Sequence, residues 1–588
     1  MEAFNSDKGV SLYAYKGDAM TLLAFDLAKE LTDNFVGFTI HVKAGSRRFY
    51  LYNKLTFKKG ITLHRQPKDD DEKLSTEFSP IQKFRWVHVP SSIHYVDNPF
   101  FGDYTYSVTP RYVVNGSLLK PDTRLTVSIT IEVSPFKDGS VRLGFTRAFV
   151  SSQAYTFHFG TNAKMRPNNT DLIFDIKAKS GTATRKGVKV DYTYEEQHEY
   201  LGWQARDRVM EFLDEVVQNK RLKLDVFAYD LNEPVIASKL ITLGKQGRVR
   251  IILDNTAEHV KAGCFEMRFD KLFRQRAKSE NQIFRGNFAG LAHAKVFIKR
   301  KNSKAGKAVS VLTGSTNFTT NGLCINANHA IIFDHARVAQ LYADVFDASF
   351  GENQMASFKN SDFAAKDFEF KGDGLPDMTI RFSPHPKKIT DTFFASIAKR
   401  IKEAESDVLF AIMMDNSKSD ILKAVQEQVK SDAIFTYGIS DKKEGISLYK
   451  PGSKRGIKVT GLGTATDLPF PFSKVAKIPG HNIHHKFIIV DFKGKDPVVY
   501  CGSSNLAYTP EQHNGDNLLA IRDKDVVAAF AIEAIRLVDH FQWRNKEMTA
   551  EQKNEGIFLR SNIEDKKWYA AYYHENDLYF LERTLLMK

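Results

Sequence analysis

The chain has 588 residues, of which 42% are hydrophobic, 12% aromatic and 26% charged. That profile is globular and excludes a mostly disordered, collagen-like or low-complexity chain. Lys and Arg outnumber Asp and Glu to give a net charge of +14, an excess that favours anionic partners such as nucleic acid, anionic lipid or phosphate esters without choosing among them.

Residues 1–165 read as a β-rich accessory domain. Segments 35–42, 48–57, 125–133 and 141–150 are rich in β-branched and aromatic residues, and Lys59-Gly60, Asn115-Gly116 and Asp138-Gly139 supply turns between them. A sandwich-like arrangement is expected. One amphipathic helix is expected near 18–33, from Met20, Leu22, Leu23, Phe25, Leu27 and Leu31. Residues 166–200 read as a linker.

From 201 the pattern changes. Helix 207–218, strand 222–229, helix 234–243 and strand 249–254 form a βαβ unit, which implies a largely parallel sheet. The order returns as helix 391–404, strand 407–414, helix 420–429 and strand 433–438. A second landmark repeats with it: HAKVFI begins at His293 and HHKFIIVD at His484, while LTGSTNF places Gly314 and YCGSSNL places Gly502. A short strand and an amphipathic helix follow each, at 331–333 with 336–346 and at 519–521 with 526–541. Such repetition predicts an α/β fold of two pseudo-symmetric copies of one unit, 201–350 and 390–545, joined by a connector at 351–389 and facing across a shared cleft. An aromatic C-terminal segment, 546–588, is expected to pack on the lobes.

Each copy carries one chemical set. His293 and Lys295 stand two apart on a predicted strand, so their side chains share a face, and Ser315 and Asn317 follow on the next strand end. The matching residues of the second copy are His484, Lys486, Ser503 and Asn505. Converged on one cleft, these groups make a site for a tetrahedral anion. Lysines and amides neutralise the non-bridging oxygens, and an imidazole stands on each side. That suits in-line displacement at phosphorus: one neutral imidazole attacks, and the other donates a proton to the leaving oxygen. The lysines carry the charge stabilisation, so neither a metal nor an organic cofactor is expected. The cluster His481, His484, His485 and His513 raises a zinc reading, which the lack of Cys ligands and the opposite facing of His484 and His485 disfavour.

The duplicated His-x-Lys and Gly-Ser-x-Asn pattern resembles the phospholipase D superfamily with its HKD motifs, over roughly residues 200–545. The ending SNIEDKKWYAAYY is similar to the C-terminus of bacterial members. The resemblance implies two α/β/α lobes with the active site between them and a covalent phosphohistidine intermediate formed without metal. His484, Lys486 and Asp491 match the full HKD motif, and Asp516 falls where the family often has an acid that orients the histidine. The first copy departs: the aspartate position is Arg300, and the orienting-acid position is Asn328. An imidazole held by a carboxylate is the more basic one, so His484 is expected to carry the protonated role and His293 the nucleophilic one.

The three cysteines, Cys264, Cys324 and Cys501, are too far apart for a metal knuckle or a disulfide framework, and a reducing compartment fits. The N-terminus has no apolar signal core, and no run approaches the ~18 apolar residues of a membrane helix. A cytoplasmic location follows as the expectation. Basic clusters at 299–301 and 304–307, read as lying near the cleft, favour nucleic acid over phospholipid and hence a nuclease. A phospholipase D acting on lipid is the alternative. A scaffold whose N-terminal domain binds a partner is a third reading.

Overall fold

In the strand Val127–Val133 buried and exposed residues alternate without a break, the signature of a strand with one face on a core. It pairs antiparallel with Gly102–Val114, which also pairs with Phe35–Ala44, and these anchor a five-stranded sheet. A four-stranded antiparallel sheet of Glu2–Asp7, Val10–Lys16, Thr21–Leu27 and Arg85–His88 supplies the opposing apolar residues. The structure is a computed structural model. It describes residues 2–588 apart from 59, 91–98, 149–151, 186, 352–353, 414–418, 432, 442–445, 449–456, 460–482, 545–554 and 562–566.

The helix expected near 18–33 is not formed. Thr21–Leu27 is a strand, and only the short turn Lys29–Leu31 is helical. Leu22, Leu23, Phe25 and Leu27 are buried on both faces of that strand, a demand that a one-sided helical stripe cannot meet. Val141–Phe145, expected with the N-terminal part, pairs instead with His329–Phe333 in a separate sheet. The expected linker contains a hairpin, Lys179–Arg185 with Val188–Thr193, and the start of the helix Tyr194–Gln218.

Two mixed sheets follow. The first runs Lys137–Asp138, Val141–Phe145, His329–Phe333, Ala308–Gly314, Val296–Lys301, Leu222–Ala228, Val249–Leu253 and Ile283–Arg285. The second runs Phe368–Gly372, Leu375–Phe382, Asn517–Arg522, Val498–Gly502, Lys486–Val490, Asp407–Ile412 and Phe435–Ser440. Neither is largely parallel, contrary to expectation. Parallel pairing is confined to strands joined by a helical crossover, such as Pro234–Lys245 or Asp420–Lys430. The remaining neighbours pair antiparallel, some through short connections, as Val296–Lys301 with Ala308–Gly314, and others across long stretches of chain, as Val141–Phe145 with His329–Phe333.

One apolar cluster runs through the second sheet, the helix Lys524–Arg544, and residues Val141, Phe145, Ile331 and Phe333 of the first sheet. The two sheets therefore share a core, which fixes their relative position. The C-terminal aromatic segment packs on both parts: Tyr569 and Tyr572 join the core of the N-terminal sheets and Tyr573 donates to the carbonyl of Leu27 at 2.6 Å, while Leu578, Leu585 and Leu586 join the cluster that runs through the second α/β sheet.

Candidate active site

His293 and His484 do not lie on strands. Each sits just before one, Val296–Lys301 and Lys486–Val490 respectively, in an irregular segment at the strand's start. The next strand of each sheet ends in a glycine, Gly314 or Gly502, with φ of 144° and 139°. A Cβ at Gly314 would collide with the carbonyl oxygen of His329, and one at Gly502 with that of Asn517. Only glycine lets those backbones approach so closely. The serine that follows ties the strand ends together. Ser315 Oγ accepts from the backbone N–H of His329 at 3.1 Å, and Ser503 Oγ from that of Asn517 at 3.0 Å. Both serines are fully buried and engaged in this scaffold.

The two halves hold each other's histidines. Nδ1 of His293 donates to Oδ1 of Asp516 at 2.8 Å. Nδ1 of His484 donates to Oδ1 of Asn328 at 2.9 Å and to the carbonyl of Ser315 at 3.1 Å. The Asn328 amide is locked, because its Nδ2 donates to the carbonyl of Gly322 at 2.8 Å, so Oδ1 must face His484. Oδ1 also accepts from a second group, the Ser315 hydroxyl, at 2.7 Å. With Nδ1 donating, Nε2 of each ring is left for chemistry. The expectation that Asp516 orients His484 is therefore corrected: the carboxylate stands on His293, and an amide stands on His484.

Two residues that the sequence reading missed hold the orienting groups. Ser383, one residue past Leu375–Phe382, donates to the carbonyl of Asn514 at 2.8 Å and accepts from the N–H of Asp516 at 3.1 Å. Thr146, one past Val141–Phe145, donates to the carbonyl of Asn326 at 2.8 Å and accepts from the N–H of Asn328 at 3.0 Å. A lone hydroxyl at a strand end leaves no sequence signal.

Lys295 and Lys486 are 1% exposed. Each ammonium caps the carbonyl of its own histidine, at 2.9 Å for Lys486, and Lys486 Nζ also stands 3.3 Å from Nε2 of His484. Burial brings Lys295 down to about 8, against the pull of Asp516 and Asp230. Burial, then the charge of Lys295, pushes Lys486 well down. Burial likewise lowers His293, with Asp516 opposing and both lysines assisting, so the ring is neutral near pH 7. His293 and His484 keep 5% and 8% of their surface exposed. Asn317 donates to Oδ2 of Asp230, and the side-chain oxygens of Asn317 and Asn505 have no partner among the described residues.

Asp491 is remote from this chemistry. Its carboxylate accepts from the N–H groups of Glu405 and Ser406, each at 2.8 Å, and pairs with Arg400. In the first sheet Arg300 turns inward to Asp225 and Asp347, so the lost aspartate is replaced by a different buried ion pair. The basic cluster near 299–301 is not a phosphate rail: Lys299 pairs with Glu215, and the 302–307 loop lies at the end of Val296–Lys301 away from His293. The zinc reading does not hold for its described members. His485 is fully buried against Glu533 at 3.2 Å, His484 is held by Asn328, and His513 bonds the carbonyl of Thr509. His481 lies outside the described residues. Among the described residues no helix is long and apolar enough to cross a membrane.

Residues 213–350 match the family model described as cardiolipin synthase, phospholipase D-like domain. Phospholipase D of Rickettsia bellii is 31% identical over 133 residues, 22% of this chain and 58% of that protein. Phospholipase D of Rickettsia prowazekii is 29% identical over 133 residues, covering 57% of that protein. The chain thus spans a little over half the length of these curated relatives. Among solved structures, phosphatidylserine synthase of Haemophilus influenzae is similar at 11% identity and a TM-score of 0.40, over 58% of this chain and 87% of that one. The phospholipase D family member Nuc of Salmonella typhimurium is similar at 20% identity and a TM-score of 0.19, over 24% of this chain and 84% of that one. The matched segment holds His293, Lys295, Ser315 and Asn317, the first of the two motif sets, and over residues 213–350 the chain is similar to phospholipase D-like domains.

Proposed function

We propose that the protein is a phosphodiesterase that cleaves a P–O bond through a phosphohistidine on His293. The observation that carries this reading is the crossed pair of hydrogen bonds, His293 to Asp516 and His484 to Asn328, which leaves two Nε2 atoms beside two lysines. The two sheets with their helices are read as two copies of one unit, and the N-terminal sheets as an accessory domain.

In the first step Nε2 of His293 attacks phosphorus and the bond to the leaving oxygen breaks. His484, protonated at Nε2, gives that oxygen its proton. In the second step water attacks phosphorus, His484 takes the water's proton, and the P–N bond breaks to restore His293. Asp516 serves the nucleophile because N-phosphorylation turns a Nδ1–H imidazole into a cation, which a carboxylate stabilises. The assignment of nucleophile and acid made from sequence is thus kept, but for a different reason. Lys295, Lys486, Asn317 and Asn505 serve the non-bridging oxygens, and the proposal needs no metal.

Nucleic acid is the proposed substrate class, supported by the net charge of +14. Phospholipid is the second reading, favoured by the relatives named phospholipase D. Labelled single- and double-stranded DNA, RNA and phosphatidylcholine vesicles, each incubated in EDTA, discriminate them. Release of label from nucleic acid alone supports the first reading, and from vesicles alone the second. Loss of all turnover on chelation, or full turnover by His293→Asn, would overturn the mechanism.

A further inference from the structure

A second histidine lies behind the first motif. His259 is buried, and both its ring nitrogens meet carboxylates: Nδ1 stands 2.7 Å from Oδ1 of Asp254, and Nε2 stands 2.7 Å from Oδ1 of Asp230. A neutral imidazole has one N–H and would aim a lone pair at one of those oxygens. Two short contacts to two carboxylates call for two N–H donors, and therefore a cation. The environment agrees: burial alone would lower His259, but its hydrogen bonds to Asp230 and Asp254 bring it up to about 10.

Both carboxylates reach the proposed reaction site. Oδ2 of Asp254 accepts from the N–H of Ala292, the residue before His293, at 2.6 Å. Oδ2 of Asp230 accepts one amide proton of Asn317, leaving the other for a phosphoryl oxygen. The Tyr229 ring packs edge-on against both His259 and His293, at 4.6 and 4.9 Å between centroids, and Lys295 Nζ stands 5.0 Å from it. Arg285 fixes the surrounding chain by donating to the carbonyls of Asp254 and His259, both at 2.7 Å. Glu266 faces the same cluster and accepts from the N–H of Leu231 at 3.0 Å. Asp230, His259 and Glu266 have the spacing of metal ligands, but the two hydrogen bonds of His259 already account for its nitrogens.

We propose that His259 is a positioning residue, a fixed cation that offsets one of the two negative charges of Asp230 and Asp254 so that Asn317 and the His293 segment can face an anionic phosphoryl group. Without that charge the pair would carry a second uncompensated negative charge against the phosphate it helps to place. The inference rests on the phosphodiesterase reading of the site, and the test separates the two.

The ring itself is read in full-length protein labelled with 15N-histidine, by long-range 1H–15N correlation at pH 7 to 8.5. The His259 signals are assigned by their loss in His259→Gln. Two protonated ring nitrogens are expected, and a neutral ring overturns the inference. Binding of inorganic phosphate in EDTA is then measured by calorimetry. His259→Gln should weaken it about tenfold, the scale of one uncompensated buried charge nearby. Asp230→Asn in the same chain removes the excess charge, while its side-chain oxygen can still accept from Asn317, and should restore most of the loss. A double variant as weak as His259→Gln indicates mere structural damage and overturns the inference. If the unaltered protein does not bind phosphate, the phosphodiesterase reading fails and the inference with it.

Discussion

Asp516 holds Nδ1 of His293 across 223 positions of the chain, at 2.8 Å. The nearest Asp516 equivalent in the first motif region, Asn328, holds the histidine of the second. Each imidazole is therefore oriented by an acceptor from the other sheet, and the proposed site needs both sheets in place.

Removing the carboxylate from this pair should cost turnover more than binding. Asp516→Asn leaves a neutral acceptor on Nδ1–H and no counter-charge for a phosphorylated imidazole. A fall in kcat of about 10²- to 10⁴-fold is expected, by analogy with the loss when a Ser-His-Asp triad loses its carboxylate. Single-turnover kinetics on an activated aryl phosphodiester measure it, and a fall below threefold would remove Asp516 from the mechanism.

Adding a carboxylate to the other pair should move the pH profile. Asn328→Asp places a negative charge on Nδ1–H of His484 and favours its protonated form, as an opposite charge at contact does by about 1–3 pK units. The alkaline limb of kcat should shift upward. Stability should fall by about 1–3 kcal/mol, because the new oxygen faces the Gly322 carbonyl that the Asn328 amide now satisfies. The pH profile and a denaturant titration report the two effects separately.

Lys295 ties activity against stability. Its folded pKa of about 8 lies below the ordinary 10.5, so between those values the unfolded chain binds more protons than the folded one. Stability attributable to this group therefore rises as pH climbs from about 8 to about 10.5, and the full penalty is present below 8. Lys295→Met should abolish turnover and stabilise the protein at pH 7 by about 1–3 kcal/mol. In the native protein kcat/KM should fall as pH rises through about 8, where the ammonium is lost. Urea melts at pH 7 and 10 and the pH dependence of kcat/KM test both statements.

Restoring the family's aspartate at position 300 should damage the fold. Arg300 is buried and donates to Asp225, Asp347 and the carbonyl of Ala343. Arg300→Asp would set a carboxylate among carboxylates, at a cost of about 3–5 kcal/mol for breaking a buried pair. A large drop in melting temperature is expected, and an unchanged one would show that the ion pair contributes nothing.

Local order was readable from the chain. The two His-x-Lys segments, the two Gly-Ser-x-Asn turns and most helix and strand positions follow from periodicity and from exact short repeats, because those signals are encoded within a few residues. The glycines belong to the same class, since Gly314 and Gly502 meet a need set by the adjoining strand. By contrast, the segment 18–33 misled, because a strand buried on two faces and an apolar helix share one composition.

What the sequence by itself determined was the two His-x-Lys and two Gly-Ser-x-Asn motifs and their spacing along the chain. Tertiary structure alone decided which acceptor meets which imidazole, that Ser383 and Thr146 brace those acceptors, that Asp491 and Arg300 are structural, and that His259 lies between two carboxylates. Apart from the contact of His259 with Asp254, these join residues dozens to hundreds of positions apart. Hydrogen bonding and desolvation act through space, so their outcome is fixed only once the shared core has set the two sheets against each other.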